Sequence, residues 1–177
     1  MFYAHKDAIA YRSAVFADAV YVRNLGRYND PIKCICPNHI VKMYLHYVYY
    51  GKIPCTASAD DSNAEDITGD TDWSDLCELY IFASKMEDKA MMNATIDGLI
   101  ATYKEQFTKT GCGLPGDACT EPVYAATKRG SPLRRLIVDM FPWTGRADSL
   151  PDEPNEEINE YMFDVAKAAV QQYGKGN

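Results

Sequence analysis

With 177 residues, 47% of them hydrophobic and 24% charged, the chain has the length and balance of one globular domain with a sizeable core. A formal charge of −7 excludes broad phosphate-backbone binding, which needs a basic face, so nucleic acid is not an expected partner. Residues 5–7 are His-Lys-Asp where a signal peptide needs an apolar core, and near the central helix the longest stretch free of Lys, Arg, Asp and Glu is residues 43–51; the sequence predicts a soluble, unsecreted protein of the cytoplasm or nucleus, with no membrane partner.

In chain order, residues 2–5 read as a short strand running into a helix over 7–22, where Ile9, Ser13, Phe16, Ala17 and Val20 share a face. Residues 24–31 hold Gly26, Asn29, Asp30 and Pro31 and read as a loop. Ile32, Cys34 and Cys36 then alternate with Lys33 and Ile35, predicting a second short strand. Ile40, Met43, Tyr44, Tyr47 and Val48 follow at i, i+3, i+4, i+7 and i+8, so a helix is predicted, with Asn38 as N-cap and Gly51 and Pro54 as its stop. It is apolar over most of its circumference, which places it inside the domain. Residues 58–75 contain seven acidic side chains and no Lys or Arg, the mark of a solvated insertion, with Ser74 capping the next helix.

Leu76, Leu79, Tyr80, Ala83 and Met86 form one helical face, and Met92, Ile96, Leu99, Ile100, Tyr103 and Phe107 form another, with a break at Glu87-Asp88. Residues 110–122 read as a Gly- and Pro-rich loop. Ser131 and Pro132 then supply an N-cap and first helical position for the face Leu133, Leu136, Ile137, Met140 and Phe141, a helix predicted to stop at Pro142. A linker over 145–154 leads to a last amphipathic helix over 155–173.

Little chemistry stands out. Cys34, Cys36 and His39, with Cys112 and Cys119, offer metal-ligand types, but the spacing does not match the usual zinc pairs, so reduced structural thiols are expected and no metal. The Gly-x-Ser-x-Gly, dinucleotide, phosphate-loop and His-Glu-x-x-His motifs are absent, so neither a cofactor nor enzymatic activity is expected. A Cys or Ser meeting His5, His39 or His46 in the fold is the residual enzymatic alternative. Lys128, Arg129, Arg134 and Arg135 form the basic cluster of the chain, read as a solvated helix start or as a partner contact. Ser131-Pro132 has the form of a proline-directed phosphorylation site as well as of a cap.

Phe2-Tyr3-Ala4-His5-Lys6-Asp7, Tyr11-Arg12-Ser13-Ala14-Val15-Phe16, Tyr47-Val48-Tyr49-Tyr50-Gly51-Lys52, Leu79-Tyr80-Ile81-Phe82-Ala83-Ser84-Lys85-Met86 and Gly130-Ser131-Pro132-Leu133-Arg134-Arg135-Leu136 occur in that order, and together they resemble a BTB/POZ domain of the fungal type. The resemblance covers roughly residues 2–141. It implies an α+β fold, a helical cluster with a small sheet followed by extra carboxy-terminal helices: a core over residues 1–108 with the acidic insertion at 58–75, and a helical extension over 109–177. It also implies an earlier strand for which this sequence has no residues, so a truncated chain or a lost strand is expected.

The function implied is a non-enzymatic protein–protein interaction module that associates with itself or with another BTB protein, through Tyr3, Ile9, Phe16 and Val20. Many members of the family also serve as substrate adaptors of cullin ubiquitin ligases, and here Val22, Leu25, Tyr28 and Asp30 are the candidate cullin contacts. The usual hydrophobic-x-Glu motif is represented only by Tyr28-Asn29-Asp30, with Asp for Glu, and no second substrate-holding module follows. The adaptor role is therefore the alternative reading.

Overall fold

The structure, a computed structural model, describes residues 2–24, 32–54, 73–110, 117–144 and 155–173. Among these the regular elements are helices: α1 (Lys6–Arg12), α2 (Ala14–Asn24), α3 (Asn38–Tyr50), α4 (Trp73–Lys85), α5 (Lys89–Thr110), α6 (Asp117–Ala126), α7 (Pro132–Thr144) and α8 (Glu156–Tyr173). No strand occurs among the described residues, which overturns the expected α+β architecture with its small sheet. Alternation along residues 2–5 and 32–36 makes a strand only where another edge is present to complete a hydrogen-bond ladder. Here the backbone N–H of His5 donates to the Tyr49 hydroxyl of α3 instead, at 2.8 Å, and Ile35 is fully exposed. No described helix is long and apolar enough to cross a membrane.

The chain divides into two compact units, Met1–Thr95 and Ile96–Asn177. In the first, α1 packs on α2 and on α3, and α3 packs on α4. The single helix expected over 7–22 is two, because Ser13 leaves the helical region (φ −127°, ψ 122°). Its hydroxyl donates to the Met86 carbonyl and accepts the Phe16 N–H at 3.1 Å, so a serine expected on a helix face caps α2 and ties it to the end of α4. Only 1% of Ser13 is exposed, together with buried Ile9 and Phe16 on the same side.

The core of this unit runs through Ile40, Met43 and Tyr44 of α3 and Leu76, Leu79, Tyr80, Phe82 and Ala83 of α4, all buried. Tyr44 sits between Phe16 (ring centroids 6.1 Å) and Phe82 (5.2 Å, edge-on). Lys42 and Tyr50 of α3 face solvent, as its spacing predicts, whereas Tyr49, expected on an apolar row, is also exposed. Asn38 is the first residue of α3 rather than its cap. Gly51 stops the helix as expected, at φ 70° with its N–H on the Tyr47 carbonyl. Of the predicted acidic insertion, residues 73–75 open α4, with Ser74 inside the helix and Trp73 4% exposed; the remainder lies outside the described residues.

Asp88 organises the unit. The Ala83 carbonyl accepts its N–H as α4 ends, with Glu87 at φ 56°, and its Oδ1 accepts the Met91 N–H at 2.9 Å to cap α5. Its Oδ2 accepts the Tyr44 hydroxyl at 3.2 Å and lies 3.4 Å from Arg12 Nε. Burial of Arg12 acts against its charge, but the Tyr47 contact and Asp88 outweigh it and raise its pKa; the guanidinium also lies over the Tyr47 ring, 4.5 Å from the centroid. Burial, then the Asp88 charge, pushes the Tyr44 hydroxyl well above the usual tyrosine range, so it remains a donor.

In the second unit α6 and α7 pack on α8 and on each other. Residues 117–126, expected as loop and its exit, are a helix with Pro122 inside; Cys119, Thr120, Val123 and Tyr124 turn one face inward, and Pro122 points to solvent. α7 begins at Pro132 as predicted, with the Ser131 hydroxyl accepting the Arg134 N–H at 3.3 Å. It runs past Pro142 to Thr144, since a proline in the last turn removes one hydrogen bond without ending the helix. α8 is capped by Asn155, whose Oδ1 accepts the Ile158 N–H at 2.7 Å, and it buries Ile158, Tyr161 and Val165.

Asp88 is 1% exposed and bears three side-chain contacts, so Asp88→Ala strands the cation of Arg12 and uncaps α5. A loss of about 3 kcal/mol is expected in urea unfolding followed by circular dichroism, against about 1 kcal/mol for Tyr44→Phe.

Candidate functional site

The residues singled out for self-association do not share one environment. Tyr3 is 88% exposed, and Val20 is half-buried. Ile9 and Phe16 are buried at 9% and 8%, where they serve the chain's own core beside Tyr44. Of the cullin candidates, Val22 is half-buried; Leu25, Tyr28 and Asp30 lie outside the described residues.

Val22 lies on a shallow cleft of about 350 Å³ whose described lining is Asp18, Ala19, Val22 and Arg23 of α2 and Ile32. Ala19, Val22 and Ile32 give it an apolar floor, and Asp18 and Arg23 stand at its rim with opposite charges. The positions 15, 18, 19 and 22 recur at helical spacing, which brings Val15, 38% exposed, onto the same side of α2. Tyr11 at the end of α1 is 91% exposed and Tyr21 is 65% exposed. Sequence periodicity marks the buried face of such a helix and passes over the apolar residues left outside, so Tyr11 and Tyr21 were not legible as surface features.

The candidate metal ligands are not assembled. His39 Nε2 lies 3.1 Å from Asp75 Oδ1, joining the start of α3 to the first turn of α4. Cys34 and Cys36 are half-buried and Cys119 is buried, none of them in a disulfide, and Cys112 lies outside the described residues. Burial raises the Cys34 pKa, and burial, then the charges of Glu78 and Cys34, push Cys36 up to about 11. Among the described residues no group of three or more His, Cys, Asp or Glu is arranged to hold a metal ion. His5 meets Tyr49, its Nδ1 at 3.1 Å from the hydroxyl. His46 donates from Nδ1 to the Lys52 carbonyl at 2.9 Å and its ring lies 4.6 Å from that of Tyr50, tilted by 33°.

A second cleft, about 480 Å³, lies between the start of α7 and the face of α8, with Arg129, Gly130, Arg134, Arg135, Asp139, Glu160 and Lys167 among its lining. The basic cluster read from the sequence as solvated divides here. Arg134 is 4% exposed; Nη2 donates to the carbonyls of Tyr124 and Thr127, Nε donates to the Thr127 hydroxyl at 3.0 Å, and the guanidinium lies over the Tyr124 ring. Four of the five basic side chains beside the α6–α7 turn and on α8 remain outside: Lys128, Arg129, Arg135 and Lys167 are exposed. Arg129 pairs with Glu160, and this hydrogen bond is the main cause holding the Glu160 carboxyl below its usual range. Tyr124 donates to Asp164 at 3.1 Å.

A thiol held near pH 11 carries roughly a hundredfold less thiolate at pH 8 than an ordinary cysteine. Iodoacetamide labelling read by mass spectrometry is expected to leave Cys36 slower by about that factor than an exposed model thiol, and labelling at the model rate contradicts the buried setting. Comparisons with protein-family models, with curated proteins and with solved structures each found no match to the chain.

Proposed function

We propose that the chain is a non-enzymatic protein–protein interaction module, acting in the cytoplasm or nucleus, whose contact surface is the helical pair α1–α2 with the segment before it. One observation carries this reading. Of eleven large hydrophobic side chains exposed among the described residues, five lie on α1, α2 and the segment before them: Phe2, Tyr3, Tyr11, Val15 and Tyr21. Single exposed apolar residues are ordinary, whereas a concentration of them on one short part of a chain marks a surface that is covered in use. Aromatic side chains are also the type enriched where protein partners meet.

The BTB/POZ resemblance supports the same assignment, since it implies association through the amino-terminal elements. An interaction role does not need the sheet that the described residues lack. Of the four residues proposed for self-association, Tyr3 remains available and Val20 partly so. Tyr11 and Tyr21 join them, while Ile9 and Phe16 act beneath the surface by fixing α1 and α2 in place. The partner is a second copy or another protein carrying the same kind of module.

Sedimentation equilibrium tests this. The native chain is expected to gain mass toward a dimer as concentration rises. Tyr3→Ser with Tyr11→Ser and Tyr21→Ser is expected to remain monomeric over the same range, with the melting temperature the native chain has at low concentration, because all three are exposed. A native chain that stays monomeric throughout refutes self-association. Co-purification then decides for a heteromeric partner if one is recovered and is lost on Val22→Glu; recovery of a cullin would select the adaptor role.

A further inference from the structure

Residues 127–131 between α6 and α7 form a turn in which Lys128, Arg129 and Gly130 are exposed, followed by exposed Pro132. It is closed by the Ser131 N–H on the Lys128 carbonyl at 3.1 Å, with Gly130 at φ 75°. Ser131 is partly exposed, and Ser131-Pro132 is the one Ser-Pro or Thr-Pro pair in the sequence. Charged side chains from both sides of the serine line the 480 Å³ cleft: Arg129 before it, Arg134 and Arg135 after it, with Lys167 from α8.

We propose that Ser131 is a phosphorylation site, and that its phosphate is held by the arginines flanking it. The reaction needs a proline-directed protein kinase and a nucleoside triphosphate. The bond from the γ-phosphorus to its bridging oxygen breaks, a bond from that phosphorus to Ser131 Oγ forms, the hydroxyl proton passes to the base of the kinase, and the nucleoside diphosphate leaves.

Three features of the site favour the product. The Ser131 hydroxyl serves as an acceptor for the Arg134 N–H, at a long 3.3 Å, and phosphoryl oxygens are stronger acceptors at the same helix start. The side chains of Arg135 and Lys167 are exposed and have no hydrogen bond or ion pair among the described residues, so both are free to turn toward a new anion. Arg134 is 4% exposed and its Nη1 is paired with Glu160 Oε2 at 3.0 Å, so it adds a fixed cation to the helix start that carries Ser131.

The carboxylates of the cleft do not block the site equally. Glu160 is already matched by Arg129 and Arg134, whereas Asp164, which accepts the neutral Tyr124 hydroxyl, and Asp139 have no ion pair among the described residues. A phosphate with nearly two charges competes with Glu160 for the exposed Arg129. Modification therefore replaces an ion pair between the turn and α8 with one inside the turn, and fastens the first turn of α7.

The test uses the folded full chain and a proline-directed kinase that labels a peptide of residues 124–139. Label is expected on Ser131 of the folded chain, located by mass spectrometry, and none on Ser131→Asn, which keeps a capping side chain. Chain carrying phosphoserine at 131 is expected to melt a few degrees above the unmodified chain, with the gain reduced in Arg129→Ala with Arg135→Ala and at high salt. A peptide that labels while the folded chain does not overturns the proposal. So does a phosphorylated chain whose melting temperature is unchanged or lower.

Discussion

Everything in the first unit depends on a carboxylate that has no access to water. Asp88 ends α4, caps α5, accepts the Tyr44 hydroxyl of α3 and faces the Arg12 cation of α1. A buried charge is costly unless its lone pairs are matched, so the groups that match it are held in fixed places. Tyr44 is positioned at both ends, its ring between Phe16 and Phe82 and its hydroxyl on Asp88. Ser13, one residue after Arg12, adds a hydrogen bond to the Met86 carbonyl. Beside these polar contacts, Ile9 and Phe16 bury the inward faces of the two helices, while Tyr11, Val15 and Tyr21 stay outside.

The second unit answers the same physical requirement with a cation. Arg134 enters from the first turn of α7 and satisfies carbonyls that the end of α6 leaves open, while Glu160 of α8 balances its charge. Its guanidinium lies over Tyr124, whose hydroxyl is engaged with Asp164 of α8. Burial, then the Asp164 charge, raises the Tyr124 pKa well above the usual tyrosine range, so the hydroxyl keeps its proton and remains a donor. A planar fork with several donors suits this position, and a lysine offers no equivalent.

Much of this was written in short-range signals. Gly51 ending α3, Ser131 and Pro132 opening α7, and the buried Leu76, Leu79, Tyr80 and Ala83 of α4 depend on local spacing, and the structure places them where the sequence does. The features that were not legible depend on partners distant in the chain. Ser13 breaks a helical pattern because Met86 lies 73 residues away, and Arg134 is buried because Tyr124 and Glu160 surround it. The sheet failed for a related reason: two alternating segments do not make a ladder without an edge to meet. α6 was hidden by Pro122, which reads as a breaker but stands on the exposed side of the helix. Of the candidate site, Tyr3 is exposed and Val20 and Val22 are half-buried, while Ile9 and Phe16 lie on the inward faces of α1 and α2.

The interaction reading and the Asp88 network are linked, since an aromatic surface on α1 and α2 can act as a binding face only if those helices are held firmly. Native-state hydrogen exchange resolved by peptide measures that directly. The account predicts that amides of α1 and α2, including the Phe16 N–H bonded to Ser13, and the Met91 N–H bonded to Asp88 are protected together and open with the same free energy as α4. Exchange of α1 and α2 at unprotected rates while α3 and α4 stay protected would contradict it, because the amino-terminal helices would then not be anchored by the buried carboxylate.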